Sequence, residues 1–189
     1  MKKLTKLSLL AVIMLIAVML LTGCGKQGTE DKKDELEGLA VYTAEETPDY
    51  ATCTEMAGVE LKYPSNYKSV GKQTQPMFMD PDVMGASFNL VTDNFPSALT
   101  FEGYVEASLP GIKSQMTIKD NNINVEYINL NGRKAAKLDY VASSQGQTMA
   151  LTQVLIKKDN KAYILTLASL EADKDKVSEK FDKIIKSFK

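Results

Sequence analysis

Serine followed three residues later by lysine occurs twice, as Ser65-Asn66-Tyr67-Lys68 and Ser69-Val70-Gly71-Lys72, and Ser87-Phe88-Asn89 adds an S-x-N triplet. In an acyl-transfer site such a lysine deprotonates the serine, but that chemistry also needs a K-T-G strand, which is missing here. At this content of serine and lysine, chance alone supplies about one or two such pairs, so no catalytic set is read from them. Met77, Met79 and Met84 are the candidate soft ligands: the first two would share one face of a strand, and thioethers suit Cu(I). The alternative is that they fill an irregular rim or a partner-binding surface. Asp80, Asp82 and Asp120, with Asn121 and Asn122, are rich in oxygen but lack the ligand spacing of a calcium loop, and they read as solvated turns. Histidine is absent from the chain. That excludes Ser-His-Asp and Cys-His nucleophile systems and His-ligated zinc or iron. No catalytic residue, cofactor or firm metal site is expected, and the domain is read as not an enzyme.

The most specific chemistry lies at the start. Lys2, Lys3 and Lys6 precede an uncharged run of 15 residues, Leu7 to Leu21, which is the basic and apolar pattern of a secretion signal. The run is shorter than the roughly 20 residues that span a bilayer. It ends in Leu21-Thr22-Gly23-Cys24, which matches the lipobox of bacterial lipoproteins at all four positions. The match implies cleavage after residue 23, acylation of the Cys24 thiol, and a membrane anchor facing outside the cytoplasm, at the cell surface or in the periplasm. Two acyl chains, at about 0.8 kcal/mol per buried CH₂, hold a protein stably.

Removing the signal leaves 20 basic against 24 acidic residues, a net charge of −4, which gives no electrostatic reason to expect nucleic acid as a partner. With Cys24 acylated, Cys53 is the remaining cysteine, read first as a small buried residue and alternatively as a reactive thiol. Residues 24–50 are rich in Gly, Thr, Lys and acids and read as a solvated tether. Residues 51–189 have the size of one domain.

The elements that would position any site follow from periodicity. Val177, Phe181, Ile184, Ile185 and Phe188 make one apolar stripe of a C-terminal helix. Ahead of it, Arg133–Ala142, Thr148–Lys157 and Lys161–Ala168 read as strands joined by the short turns Asn131-Gly132, Ser144-Gln145-Gly146 and Asp159-Asn160. Such turns join antiparallel neighbours. The last two strands are apolar at both odd and even positions, so both faces of the sheet must be covered. Thr100 can cap a second helix through Phe101, Tyr104, Val105, Leu109 and Ile112, which Pro110-Gly111 should kink or end. Upstream strands are expected at Val59–Tyr63, stopping at Pro64, and at Ser87–Thr92. Tyr42, Tyr50, Tyr63, Tyr67 and Tyr104 could line a groove, but most of them read as core edge and surface.

Over roughly 60–189 the order of these segments resembles the Mog1/PsbP-like superfamily, and among bacterial proteins the small PsbP-related or DcrB-type lipoproteins. The resemblance rests on Tyr63-Pro64 with Tyr67, Phe88-Asn89-Leu90-Val91, the helix bearing Phe101 and Tyr104, Leu130-Asn131-Gly132-Arg133-Lys134-Ala135, Lys161-Ala162-Tyr163-Ile164-Leu165-Thr166, and the closing Phe181, Ile185 and Ser187-Phe188. It implies an α+β fold, an α/β/α sandwich with a central, mostly antiparallel sheet flanked by helices. It also implies an accessory, assembly or binding role without catalytic residues. The expected function is a membrane-anchored, non-enzymatic module for an envelope protein or complex. The alternative is a lipoprotein binding a small molecule or a metal such as Cu(I), with Met77 and Met79 at the site.

Overall fold

The computed structural model describes residues 36–53, 58–70, 75–144 and 146–189. Its strands are β1 (Ala40–Tyr42), β2 (Tyr50–Cys53), β3 (Leu61–Pro64), β4 (Lys68–Ser69), β5 (Met77–Met79), β6 (Ser87–Asn94), β7 (Thr117–Ile118), β8 (Asn124–Leu130), β9 (Arg133–Ser144), β10 (Gln147–Lys158) and β11 (Lys161–Leu170). Two helices join them, α1 (Phe101–Gln115) between β6 and β7, and α2 (Lys174–Lys186) after β11.

Among the described residues, nine strands form one sheet in the order β1-β8-β9-β10-β11-β6-β5-β4, with β7 alongside β9; β2 and β3 form a separate antiparallel pair. Tight turns dictate the centre of this order. Asn131 and Gly132 both have positive φ, at 50° and 79°, which is the backbone of a type I′ hairpin turn between β8 and β9. β9, β10 and β11 then pair antiparallel along their length.

Register sorts the side chains of these strands into two cores. Val154, Ile156, Leu165 and Leu167 join Val177, Phe181, Ile184 and Ile185 of α2 in one cluster. The intervening Leu151, Leu155, Ala162 and Ala168 join Tyr104, Val105 and Ile112 of α1 in the other. Apolar residues from both faces of these strands of a mixed sheet thus enter two separate clusters, one with each helix.

Helix α1 runs past Pro110, which lies inside it, and ends at Gln115. Its expected break is overridden by packing, because buried Val105 and Ile112 anchor the helix on either side of the proline. At its start, Thr100 Oγ1 accepts from Gly103 N at 3.1 Å. Thr100→Ala should therefore lower unfolding stability by about 1 kcal/mol, read as a shift in urea midpoint at unchanged slope.

The stretch 24–50, expected to be tether throughout, needs correction where it is described. Residues 40–42 add a parallel edge strand to β8, with Ala40 opposite Ile128 and Tyr42 opposite Leu130. Half-buried Tyr42 and Tyr50 pack on the core. Three paired residues are too few to leave a periodic signal, yet they cover what would be an open edge of β8. Residues 24–35, and with them Cys24 and the secretion signal, lie outside the described residues.

The C-terminus is laced to the same layer. Glu60 and Lys189 exchange backbone hydrogen bonds in both directions, at 2.9 and 3.1 Å. Ser187 Oγ accepts from Lys62 N at 2.8 Å. Phe188, 1% exposed, meets the Tyr163 ring edge-on at 5.7 Å between centroids.

Candidate functional site

An alternating sheet lets one strand show different chemistry on its two faces. β9 does so: Leu138, Tyr140 and Ala142 are buried toward α1, whereas Lys137, Asp139 and Val141 point to the α2 side. Helix α2 crosses that side only in part. Beside it a groove of about 780 Å³ stays open, floored by β9 and β10, walled by α2, and rimmed by Lys119, Asp120 and Asn122 after β7.

The floor is organised by register. Thr152 of β10 lies directly opposite Asp139 of β9. Its Oγ1 donates to Asp139 Oδ1 at 2.6 Å, while Lys137 Nζ contacts Asp139 Oδ2 at 2.9 Å. Both carboxylate oxygens are therefore engaged. Burial would lower the Lys137 pKa, but the hydrogen bond and charge of Asp139, helped by Tyr42 and Glu126, outweigh it and hold the ammonium above its ordinary range. Lys137 stays charged at neutral pH. Small Val141 and Ala150, also opposite one another, leave depth next to this polar trio.

The rim is held in an uncommon backbone. Asp120 and Asn121 both lie in the left-handed region, at φ 55° and 52°, a conformation that Asp and Asn tolerate better than other residues with a Cβ. Lys119 reaches across to Glu171 at 2.8 Å, tying the rim to the turn that leads into α2. Acids outnumber lysines in the lining, with Asp120, Asp139, Asp175, Glu179 and Asp182 against Lys119, Lys137 and Lys174.

The residues singled out for chemistry are dispersed. Ser65 and Lys68 are both exposed, and Lys72 lies outside the described residues. Ser87 and Asn89 are buried on β6, facing α1's side of the sheet. Met77 and Met79 do share a face of β5, opposite Asn89 and Ser87 respectively. Met77 is 2% exposed and Met84 78%, so the three thioethers do not share one environment. Among the described residues, no group of three or more Cys, Asp or Glu side chains is placed to hold a metal ion. Cys53 is buried in β2, opposite Leu61. Tyr63 and Tyr67 belong to an aromatic cluster with Phe78 and Phe88, and Tyr104 packs on Phe95.

Asp80 corrects an expectation. It reads as a solvated turn residue, but its side chain is fully buried, accepting from Lys180 Nζ at 2.7 Å, Tyr67 OH at 3.0 Å and Asp82 N at 2.9 Å. Burial would raise its pKa; the three donors together outweigh that and hold the carboxyl below its ordinary 3.8. Burial and this carboxylate push the Tyr67 hydroxyl well above its usual range. The trio joins the loop after β5 to α2, away from the groove, and each polar atom is spent on a neighbour.

The mixed sheet with its two helices has the fold seen in PsbP and Mog1 proteins. The chain belongs to the DcrB family, whose model matches residues 61–187. Among solved structures it is similar to the cyanobacterial PsbP of Synechocystis, at 17% identity and a TM-score of 0.57, over 89% of this chain and 98% of that one. A Pseudomonas aeruginosa protein of unknown function, described as a putative regulator, matches at 22% identity and a TM-score of 0.55, over 73% and 94%. The Ran-binding protein Mog1p of Saccharomyces cerevisiae matches at 12% and 0.50, over 74% and 95%. Likeness at these identities shows the fold. No curated protein matches the sequence.

Proposed function

We propose that the protein is an exported lipoprotein, anchored through Cys24 to the outer face of the cell membrane, whose α/β/α-type domain docks an envelope protein as a non-enzymatic accessory module. The observation that carries this reading is the open groove beside α2, on a sheet whose other described surfaces are largely covered. Its hydroxyl, carboxylate and ammonium groups at Thr152, Asp139 and Lys137 are bound to one another, an arrangement that fixes a polar surface for recognition. The lipobox at Leu21–Cys24 supplies the address, and a tethered domain gains effective concentration toward its neighbours at the membrane.

Two experiments test the two halves. Cys24→Ala should leave the fold intact and move the protein from the membrane fraction to the soluble or secreted one; continued fractionation with the membrane after cleavage would refute the anchor. Photo-crosslinkers placed in cells at Asn122 and Ser178, on the groove's rim and wall, should yield one specific adduct that crosslinkers at Glu46 and Glu106 do not. An equal background from all four positions would refute docking at the groove.

A further inference from the structure

We propose that the groove beside α2 takes a basic segment of a partner protein, with lysine or arginine side chains at its mouth and an apolar side chain above Val141 and Ala150; this rests on the docking reading above. The charges decide the sign. Acids exceed lysines in the lining by two, and they stand on both banks, Asp120 on the rim and Asp175 on α2. Neither of these carboxylates takes part in an ion pair among the described residues, whereas Lys119 and Lys137 are committed to Glu171 and Asp139, which leaves Lys174 as the unpaired lysine of the lining against two unpaired acids. Glu179 and Asp182 are matched only by lysines one turn along the same helix, Lys183 and Lys186. Exposed helical pairs of that kind contribute little and exchange partners readily. An incoming cation thus finds two free carboxylates and two that can be shared.

The floor selects the rest of the occupant. Val141 and Ala150, opposite one another, are two small side chains flanked by the polar trio of Lys137, Asp139 and Thr152, which leaves a shallow apolar seat for one side chain and not a continuous apolar trough. That suits a peptide with a single apolar anchor between basic residues. An anionic lipid surface or an acidic peptide would meet like charge from the rim and from α2.

The test uses the full chain in a neutral detergent, with a fluorescent 12-residue peptide of lysine and leucine and a matched peptide in which glutamate replaces lysine. The lysine peptide should bind with an affinity that falls as salt is raised, and the glutamate peptide should not bind. Asp120→Asn together with Asp175→Asn should weaken binding about tenfold, while Glu46→Asn with Glu106→Gln, an equal change of charge on other surfaces, should leave it within about twofold. Equal binding of both peptides, equal loss in the two double variants, or preferential binding of anionic vesicles or of a second copy of this chain would each overturn the proposal. Failure here with a specific crosslink still formed at Asn122 and Ser178 would overturn the basic partner and leave docking standing. Failure of both would remove the groove as a site.

Discussion

Asn131→Ala should cost the domain about 3 kcal/mol, because one side chain ties two distant segments to the hairpin and the replacement also strains the turn. Asn131 Oδ1 accepts from Ala44 N at 2.8 Å, and its Nδ2 donates to Lys186 O at 2.8 Å and Phe188 O at 2.7 Å. Its own backbone N donates to Tyr42 O at 2.9 Å. The hairpin asparagine therefore secures the strand that begins the described fold and the carbonyls at the end of α2 in one step. Its φ of 50° adds a backbone term that alanine cannot share without cost. Asn131→Gly separates the two: it keeps the turn and deletes the side chain, and it should recover about 1 kcal/mol relative to alanine. Urea unfolding of wild type and both variants measures the difference. Equal stability of wild type and the glycine variant would show that the three side-chain bonds contribute nothing.

What was legible in the sequence was whatever repeats locally. The stripe Val177, Phe181, Ile184 and Ile185 is buried as its spacing requires, and Asn131-Gly132 makes the turn that the dipeptide favours. The apolar residues at both odd and even positions of β10 and β11 enter two separate clusters, and the sequence shows this because each face is sampled within a few residues. The role of the Asn131 side chain was not legible, since its partners lie 55 to 87 residues away. The groove was hidden for the same reason: Asp139 and Thr152 meet only once the register of β9 against β10 is fixed. A signal did exist. Lys137, Asp139 and Val141 alternate with Leu138, Tyr140 and Ala142 on β9, beside strands that carry apolar residues at both odd and even positions, and that change marks the place where cover gives out.

Asp80 shows how far a local reading can mislead, and it carries the second large effect. An aspartate followed by Pro81 and Asp82 has the composition of an exposed turn, but Tyr67, 13 residues earlier, and Lys180, 100 residues later, enclose it. Removing the carboxylate by Asp80→Ala leaves Tyr67 OH and Asp82 N without their acceptor, at an expected cost of about 3 kcal/mol. Lys180 is one-third exposed and can turn to water, which keeps the loss at the lower end for a broken buried pair. The pH dependence has a definite sign. Asp80 ionises more readily folded than unfolded, so its contribution is fully present above the unfolded value of 3.8 and disappears as pH falls through the lower folded value. The stability gap between wild type and Asp80→Asn should thus be constant around neutrality and close in acid below about pH 4. Urea midpoints collected across that range decide the matter. A gap that stayed constant into strong acid would mean that the charge on Asp80 contributes nothing to holding the β5–β6 loop on α2.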